Sequence, residues 1–146
     1  MESNSSDYLK YWRTINFYYR TKNDLSQAEI DTLLFLKSEK YFRRRKFEEF
    51  DKILSWNKKR FNKLIEKGWI QLFRGIGGPS ANIYELSMKA NRMLNEMYRK
   101  LNGEEITISG KTPLLKKKIS YHSKMYIEMI QEMNQVIRQQ RHRTHE

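Results

Sequence analysis

The sequence contains no cysteine among its 146 residues. This absence excludes a disulfide framework and any metal site built on thiolates, and it leaves the redox compartment unreadable. Hydrophobic residues make up 38% of the chain, below the usual globular share. No apolar run approaches the roughly 20 residues that a membrane-spanning helix needs. The first ten residues lack the basic and then apolar regions of a secretory signal, so we expect a cytoplasmic protein.

Residues and motifs that carry catalysis are equally scarce. The three histidines, His122, His142 and His145, all lie near the C-terminus, and no H-E-x-x-H, P-loop or G-x-S-x-G motif occurs. The glycine-rich residues 75–78 lie between two predicted strands, without a following helix that would hold a phosphate. We therefore expect a non-enzymatic protein with no catalytic residues, no cofactor and no metal ligands.

Basic residues, by contrast, are abundant and unevenly distributed. The formal net charge is +12, and residues 37–67 contain twelve basic and five acidic side chains, a net charge of +7. Residues 111–146 carry a net charge of +5, whereas residues 1–36 carry −1. A polyanion partner explains this distribution economically, because each neutralised phosphate releases counterions and favours binding. The alternative is a soluble basic protein without such a partner.

Hydrophobic periodicity predicts two helices before the basic segment. The first runs from Asp7 to about Thr21, and its aromatic stripe indicates a core or dimer face rather than a ligand site. The second begins with a capping box of Ser26 and Glu29 and extends to about Lys37. The stripe of the first helix comprises Tyr8, Trp12, Ile15 and Tyr19. The apolar positions of the second are Ala28, Ile30, Leu33, Leu34 and Leu36.

A third helix is predicted from Arg44 to about Lys52, with a turn at Leu54. Residues 40–43 before it fit either a short strand or an extended link. The side chains that we expect this helix to bury are Phe47, Phe50 and Ile53. The acidic residues that we expect on its surface, paired with Arg45 or Lys52, are Glu48, Glu49 and Asp51.

Four consecutive cations open this third helix. Their position opposes the helix macrodipole, which favours negative charge at a helix N-terminus. A polyanion partner would offset this cost, so we expect the run to contact phosphates. The run consists of Arg43, Arg44, Arg45 and Lys46.

The most informative segment is Ser55 to Leu86. Ser55 is predicted to cap a basic fourth helix, Trp56 to Lys67, and Gly68 fits the left-handed C-cap that ends many helices. Phe61, Leu64 and Ile65 are predicted to face inward, with Lys58, Lys59, Asn62 and Lys63 mainly on the other side. Alternating residues then predict two strands, Trp69–Arg74 and Asn82–Leu86, joined by a long glycine-rich turn. A basic helix followed by a hairpin is the sequence form of a winged helix-turn-helix.

Two more helices are predicted after the hairpin. Ser87 caps a fifth helix that reaches Leu101, with apolar positions at Met88, Met93, Leu94, Met97 and Leu101. Residues 103–114 are a linker or contain a short strand at residues 105–108. The last helix runs from about Leu115 or Ile119 to Arg138, before a frayed polar tail. Its apolar seam contains His122, Tyr126, Met129, Met133, Val136 and Ile137.

This seam can pair with its copy in a dimer, pack on the first helix, or bind another protein. We favour the dimer, because paired half-sites multiply affinity. The cluster Lys111, Lys116, Lys117 and Lys118 is either a contact or a solvated linker.

The order of these elements resembles that of MarR-type winged-helix regulators over residues 25–102. LSQAEIDTLLFL is similar to the opening helix of that family, FNKLIEKGWI to the exit from its recognition helix, and YELSMKANRML to the entry into its dimerisation helix. The hairpin carries Arg74 and a Gly-Pro turn in place of the family's Asp-x-Arg, and Asn91 replaces a glycine. The resemblance implies double-stranded DNA as the partner, a homodimer formed by the first, post-wing and C-terminal helices, and a bacterial or phage-infected cell.

The resemblance also implies which residues contact DNA. Helix 56–67 would enter the major groove and the wing, residues 70–86, would lie beside it. Asparagine can make bidentate contacts to adenine, and lysine reaches guanine or a phosphate. The predicted DNA-binding residues are Asn57, Lys58, Lys59, Arg60, Asn62 and Lys63, together with Arg43, Arg44, Arg45, Lys46 and Arg74. Among these, Arg60 is expected to contact the DNA backbone, and the alternative for the helix is a solvated face.

The sequence therefore predicts a mainly α protein with a small β-hairpin wing, a winged helix-turn-helix with helical extensions at both ends. The expected organisation is a winged-helix domain over residues 1–102, a basic linker over 103–118 and a C-terminal helix with a polar tail over 119–146. The expected function is sequence-specific transcription regulation. The alternative is a structural or assembly protein, such as a nucleoprotein or a virion-associated phage component, that binds nucleic acid without sequence preference or binds protein.

Overall fold

The structure, a computed structural model, describes residues 8–54, 59–75, 77–78, 81–108 and 121–144. Within these ranges the chain is mainly helical, with six helices and one two-stranded antiparallel hairpin, an arrangement compatible with a winged helix. The elements are α1 (Tyr8–Lys22), α2 (Gln27–Leu36), α3 (Arg44–Leu54), α4 (Arg60–Glu66), β1 (Ile70–Arg74), β2 (Ile83–Leu86), α5 (Met88–Leu101) and α6 (Tyr121–Thr144). None of the helices in the described ranges combines the length and apolarity needed to cross a membrane.

The chain divides into two compact units. The central unit is Leu25–Asn95, and the terminal unit combines Met1–Asp24 with Glu96–Glu146. This division differs from the one expected from the sequence, which separated the C-terminal helix from residues 1–102. The difference arises because α1 and α6 pack on each other, and such a long-range contact leaves no local signal in the sequence.

Helix α2 opens the central unit with the predicted capping box. The Glu29 N–H donates to Ser26 Oγ at 3.1 Å, and the Ser26 N–H donates to Glu29 Oε1 at 2.9 Å. Two backbone donors that the first turn would leave unpaired are thereby satisfied. Ile30, Leu33 and Leu36 are fully buried on the inner face of the helix.

Aromatic rings hold α3, α4 and the hairpin together. The ring of Phe61 on α4 lies edge-on to Phe47 of α3, with 4.9 Å between centroids, and edge-on to Tyr84 of β2 at 5.0 Å. All three side chains are buried. Edge-to-face pairs add about 0.5–1.5 kcal/mol to the stabilisation from buried area. Phe61 therefore fixes α4 against both of its neighbours.

Helix α4 ends at the predicted glycine. Gly68 has φ +83°, a conformation that costs other residues strain. The Gly68 N–H donates to the Ile65 carbonyl at 3.0 Å, and the Trp69 N–H donates to the Leu64 carbonyl at 2.9 Å. These two bonds form a Schellman motif, which turns the chain directly from α4 into β1.

The hairpin is antiparallel, with Ile70 opposite Leu86 and Leu72 opposite Tyr84. Its register shifts between Leu72 and Arg74, so that Phe73 is the extra residue of a β-bulge. Phe42 adds an isolated bridge to Tyr84, with N–H to oxygen distances of 3.0 and 2.7 Å. Residues 40–43 thus contribute one strand-like pair to the sheet rather than a continuous strand.

In the terminal unit, α6 packs on α1. The rings of Phe17 and Tyr126 are stacked at 3.8 Å, and Arg13 Nε donates to the Tyr126 hydroxyl at 3.3 Å. Lys10 and Glu132 form an ion pair at 3.5 Å. Of the three alternatives for the α6 seam, packing on the first helix is the one found. Its buried side chains are Tyr126, Ile130, Met133 and Ile137.

A side chain of α6 holds the segment that follows α5. The Ile106 N–H donates to Asn134 Oδ1 at 3.0 Å, and Asn134 Nδ2 donates to the Ile106 carbonyl at 2.8 Å. Residues 104–108 form no strand, so the predicted alternative of a short strand at 105–108 is wrong. The backbone of Ile106 is satisfied by an amide side chain instead of a neighbouring strand.

Two predicted core residues and two helix ends require correction. Ile53 is 73% exposed because it lies two residues after the buried Asp51, about 200° around the helix axis. Met88 is 75% exposed because it precedes the buried face of α5. Helix α3 includes Leu54, which was predicted to be a turn, and α6 continues to Thr144 rather than ending at Arg138.

Candidate nucleic-acid interface

Helix α4 has one apolar face and one polar face. Phe61 and Leu64 are buried, whereas Lys59, Asn62 and Lys63 are exposed. The three exposed residues are spaced three and four positions apart, which places them on one side of the helix. The structure therefore brings together three of the predicted contact residues. Two others, Asn57 and Lys58, lie outside the described residues, as does the predicted N-cap Ser55.

The start of α4 differs from the prediction. Lys59 is the N-cap residue and α4 begins at Arg60, four residues after the predicted start at Trp56. The Lys59 side chain makes no capping hydrogen bond. The predicted start rested on Ser55 as a capping residue, and a serine alone does not fix where a helix begins.

Arg60 is the clearest correction among the predicted site residues. The residue is 8% exposed, and Nη1 donates to Oδ1 of Asp51, which is 3% exposed. Arg60 is therefore an internal cation that joins α4 to α3, where the sequence analysis expected a contact to the DNA backbone. Asp51 is likewise not the surface charge that was predicted.

Of the four cations that open α3, two have a carboxylate partner and two do not. Arg44 pairs with Glu48 at 3.2 Å and lies over the Phe61 ring at 5.1 Å. Lys46 pairs with Glu49 at 3.5 Å and with Glu39 at 3.7 Å. Arg43 and Arg45 are exposed. Within the described ranges these two arginines form no ion pair, so their charge is not offset by a protein carboxylate.

The hairpin presents one predicted contact residue, Arg74. It is exposed at the end of β1, opposite Ile83. Like Lys63 on α4, it has no ion-pair partner among the residues that the structure describes. Four predicted contact residues without an ion-pair partner in the described ranges thus lie on or beside three successive elements, with Arg43 and Arg45 at the start of α3, Lys63 on α4 and Arg74 on β1.

The capping residue Glu29 interacts with the cations at the C-terminal end of α4. Burial raises the pKa of its carboxyl group, but the hydrogen bond from the Ser26 backbone and the charges of Lys67 and Lys63 outweigh burial and hold the pKa below its usual value. Lys67 Nζ lies 3.5 Å from Glu29 Oε2. The C-terminal half of α4 is therefore electrostatically coupled to the start of α2.

Two exposed aromatic residues near the cations were not assigned by the sequence analysis. Tyr41 is 44% exposed and Phe73 is 46% exposed, and their ring centroids lie 4.2 Å apart. The alternation of Tyr41 and Arg43 around the inward-facing Phe42 was the available signal, because neighbours of a buried strand residue point to the opposite face. The β-bulge at Phe73 has no comparable signal in the sequence.

The part of the chain that the structure describes contains no cluster of three metal-binding side chains. What the central unit offers chemically is positive charge, an exposed amide at Asn62 and exposed aromatic rings. Comparisons with protein-family models, curated proteins and solved structures found no match to this chain.

Proposed function

We propose that this protein binds double-stranded DNA through its central unit and acts as a sequence-specific, MarR-like transcriptional regulator. In this proposal α4 enters the major groove and the β1–β2 hairpin lies beside it. The observation that carries the proposal is the separation of faces on α4, with Lys59, Asn62 and Lys63 exposed and Phe61 and Leu64 buried. A helix that is fixed by its inner face and is basic on its outer face suits the major groove.

The dimensions and charges support this geometry. An α-helix with its side chains is about 10–12 Å in diameter, and the major groove is about 12 Å wide. Arg43, Arg45 and Arg74 are available for phosphate contacts, which would position α4 without reading sequence. Asn62 is suited to a bidentate contact with adenine.

We extend the proposal to a homodimer that binds two half-sites. The apolar seam of α6 is occupied by α1 within the chain, so a dimer would use the outer faces of α1, α5 and α6. Each of these helices carries an exposed large hydrophobic residue, namely Leu9, Tyr98 and Met125 respectively. Exposed side chains of this kind are suited to an interface with a second copy.

A second candidate function is binding without sequence preference, as in a nucleoprotein or a phage-particle component. It is favoured by the composition of the outer face of α4, where Asn62 is the one amide beside the cations Lys59 and Lys63. Selection from a randomised duplex pool separates the two candidate functions. At about 150 mM salt, where non-specific affinity is already weakened, only a sequence-specific protein should enrich particular duplexes. An inverted repeat among the selected duplexes supports the regulator, and retention without enrichment supports the second candidate.

The first prediction concerns the outer face of α4. We expect the double variant Lys59→Ala/Lys63→Ala to bind duplex DNA more weakly and to lower the slope of log affinity against log salt by about 2, because two phosphate or base-edge contacts are lost. Fluorescence anisotropy with a labelled duplex at several salt concentrations measures both quantities.

The matched control is Lys22→Ala/Lys124→Ala, which removes the same charge from exposed positions of the terminal unit. If both double variants weaken binding equally, the effect is one of net charge and α4 is not the contact. If neither variant changes the affinity or the slope, the central unit does not bind duplex DNA through this face.

A further inference from the structure

The outer face of the small sheet in the central unit carries an exposed pair of aromatic rings. Tyr41 and Phe73 lie 4.2 Å apart with 43° between their planes. Phe42, which follows Tyr41 in the chain, and Tyr84, which is opposite Leu72 in the hairpin, are buried. Both residues are nearly half exposed, an unusual position for two adjacent large aromatic side chains.

Positive charge surrounds these rings. The Lys40 ammonium lies 5.7 Å from the centroid of the Tyr41 ring. A groove of about 380 Å³ extends from Tyr41 past Arg43 and Arg45 to Ile83. The two acidic residues of the groove, Glu39 and Glu49, are both paired with Lys46, which leaves the two arginines as its uncompensated charges.

We infer that this surface, defined by Tyr41, Phe73, Arg43 and Arg45, binds single-stranded nucleic acid. Unpaired bases stack on exposed aromatic rings, and a groove with uncompensated cations follows the phosphate backbone. Bases in an intact duplex are already stacked on one another and cannot offer their faces to the rings. The surface therefore distinguishes a strand with unpaired bases from a duplex. The contacts proposed for α4 do not depend on unpaired bases.

This inference goes beyond duplex binding, although it shares Arg43 and Arg45 with that proposal. The aromatic rings separate the two, because phosphate contacts to a duplex need no stacking surface. Variants of Tyr41 and Phe73 therefore test the single-strand surface, whereas variants of Lys59 and Lys63 test the duplex surface.

The experiment uses the full chain and three labelled probes. The first is an oligothymidylate of about 16 nucleotides, the upper end of the range that small single-strand-binding folds cover. The second is an abasic strand of equal length, which keeps the phosphates and removes the bases. The third is a duplex of the same length. Anisotropy titrations at one fixed salt concentration give the three affinities for each variant.

We expect Tyr41→Ala and Phe73→Ala each to weaken oligothymidylate binding by roughly tenfold, in line with the loss of one stacked base. Affinity for the abasic strand and for the duplex should change by less than about twofold. Phe73→Leu keeps an apolar side chain at the bulge but removes the aromatic ring, and it should weaken thymidylate binding to a similar extent. Because this variant retains an apolar side chain at an exposed position, it separates loss of stacking from loss of folding. Phe35→Ala, at an exposed ring on α2 of the same unit, is the control and should leave all three affinities unchanged.

An oligothymidylate affinity that is equal to the abasic affinity, or that the ring variants leave unchanged, overturns the inference and assigns the rings to some other contact. That outcome leaves duplex binding intact if the duplex still binds and Lys59→Ala/Lys63→Ala still weakens it. If the protein does not bind the duplex but does bind oligothymidylate, and if the ring variants weaken that binding, the inference is supported and the proposal for α4 is rejected.

Discussion

Asp51 and Arg60 are the residues whose positions change the interpretation of the interface most. The sequence places Asp51 in a charged helix and Arg60 in a basic one, and nothing local distinguishes them from their exposed neighbours. They pair across nine positions of sequence, outside the three- and four-residue spacings that allow ion pairs to be predicted within a helix. Local patterns predicted the exposed Lys59, Asn62 and Lys63, whereas this buried pair requires the packing of α3 against α4.

The buried ion pair between Asp51 and Arg60 predicts how single substitutions change the stability of the protein. We expect Asp51→Ala to lower the free energy of unfolding by about 3 kcal/mol, because it removes the buried carboxylate that pairs with the Arg60 guanidinium. Replacing both members, in Asp51→Leu/Arg60→Met, should restore most of that loss. Urea unfolding followed by circular dichroism measures these differences.

Glu48→Gln provides the control, because the pair that it forms with Arg44 is partly solvent-exposed and should contribute less than about 1 kcal/mol. Equal losses in Asp51→Ala and Glu48→Gln would contradict a buried position for the Asp51–Arg60 pair.

Element ends were predictable where side-chain or backbone chemistry fixes them. The capping box at Ser26 and the glycine at position 68 each satisfy backbone groups within a few residues, so their sequence signatures are local. The start of α4 and the end of α6 lack such a signature, and both were predicted incorrectly. The β-bulge at Phe73 follows from the pairing register of β1 and β2, which no single strand encodes.

The cap of α2 makes a prediction about pH. The pKa of Glu29 in the folded protein lies below its ordinary value of 4.5, so the ionised carboxylate stabilises the fold above that pH. This contribution is lost as the pH falls from 4.5 through the folded pKa, because the unfolded state then binds the proton more readily. We expect Glu29→Gln to destabilise the protein by about 1 kcal/mol at neutral pH.

The difference in stability between the wild type and Glu29→Gln should narrow as the pH is lowered below 4.5, and thermal unfolding at several pH values measures it. Glu66→Gln removes a carboxylate from an exposed position of α4 and is the control for the loss of one negative charge. A difference that widens on acidification would show that the carboxylate of Glu29 opposes folding.

At the scale of the whole molecule, periodicity identified the apolar seam of α6 but not the surface that covers it. Tyr126, Met133 and Ile137 were predicted to face one side, and they are buried. A helix seam looks the same in sequence whether it packs on another helix of the chain or on a second copy. The contact of Phe17 with Tyr126 assigns the seam to the terminal unit of the same chain.

That assignment makes a prediction that depends on protein concentration. Ile130 is fully buried on α6, so Ile130→Ala should lower the free energy of unfolding by about 2–5 kcal/mol through lost contacts and a cavity. Because the contacts lie within one chain, the loss should be the same at two protein concentrations a hundredfold apart, and a dimer formed through other faces should persist in sedimentation. A seam that joined two copies would instead give a loss that grows on dilution, since dissociation contributes to unfolding of a dimer. Gln131→Ala, at the adjacent exposed position, should change stability by no more than about 0.5 kcal/mol. If the loss of unfolding free energy depends on protein concentration for Ile130→Ala but not for Gln131→Ala, α6 lies at a subunit interface and α1 packs on another surface.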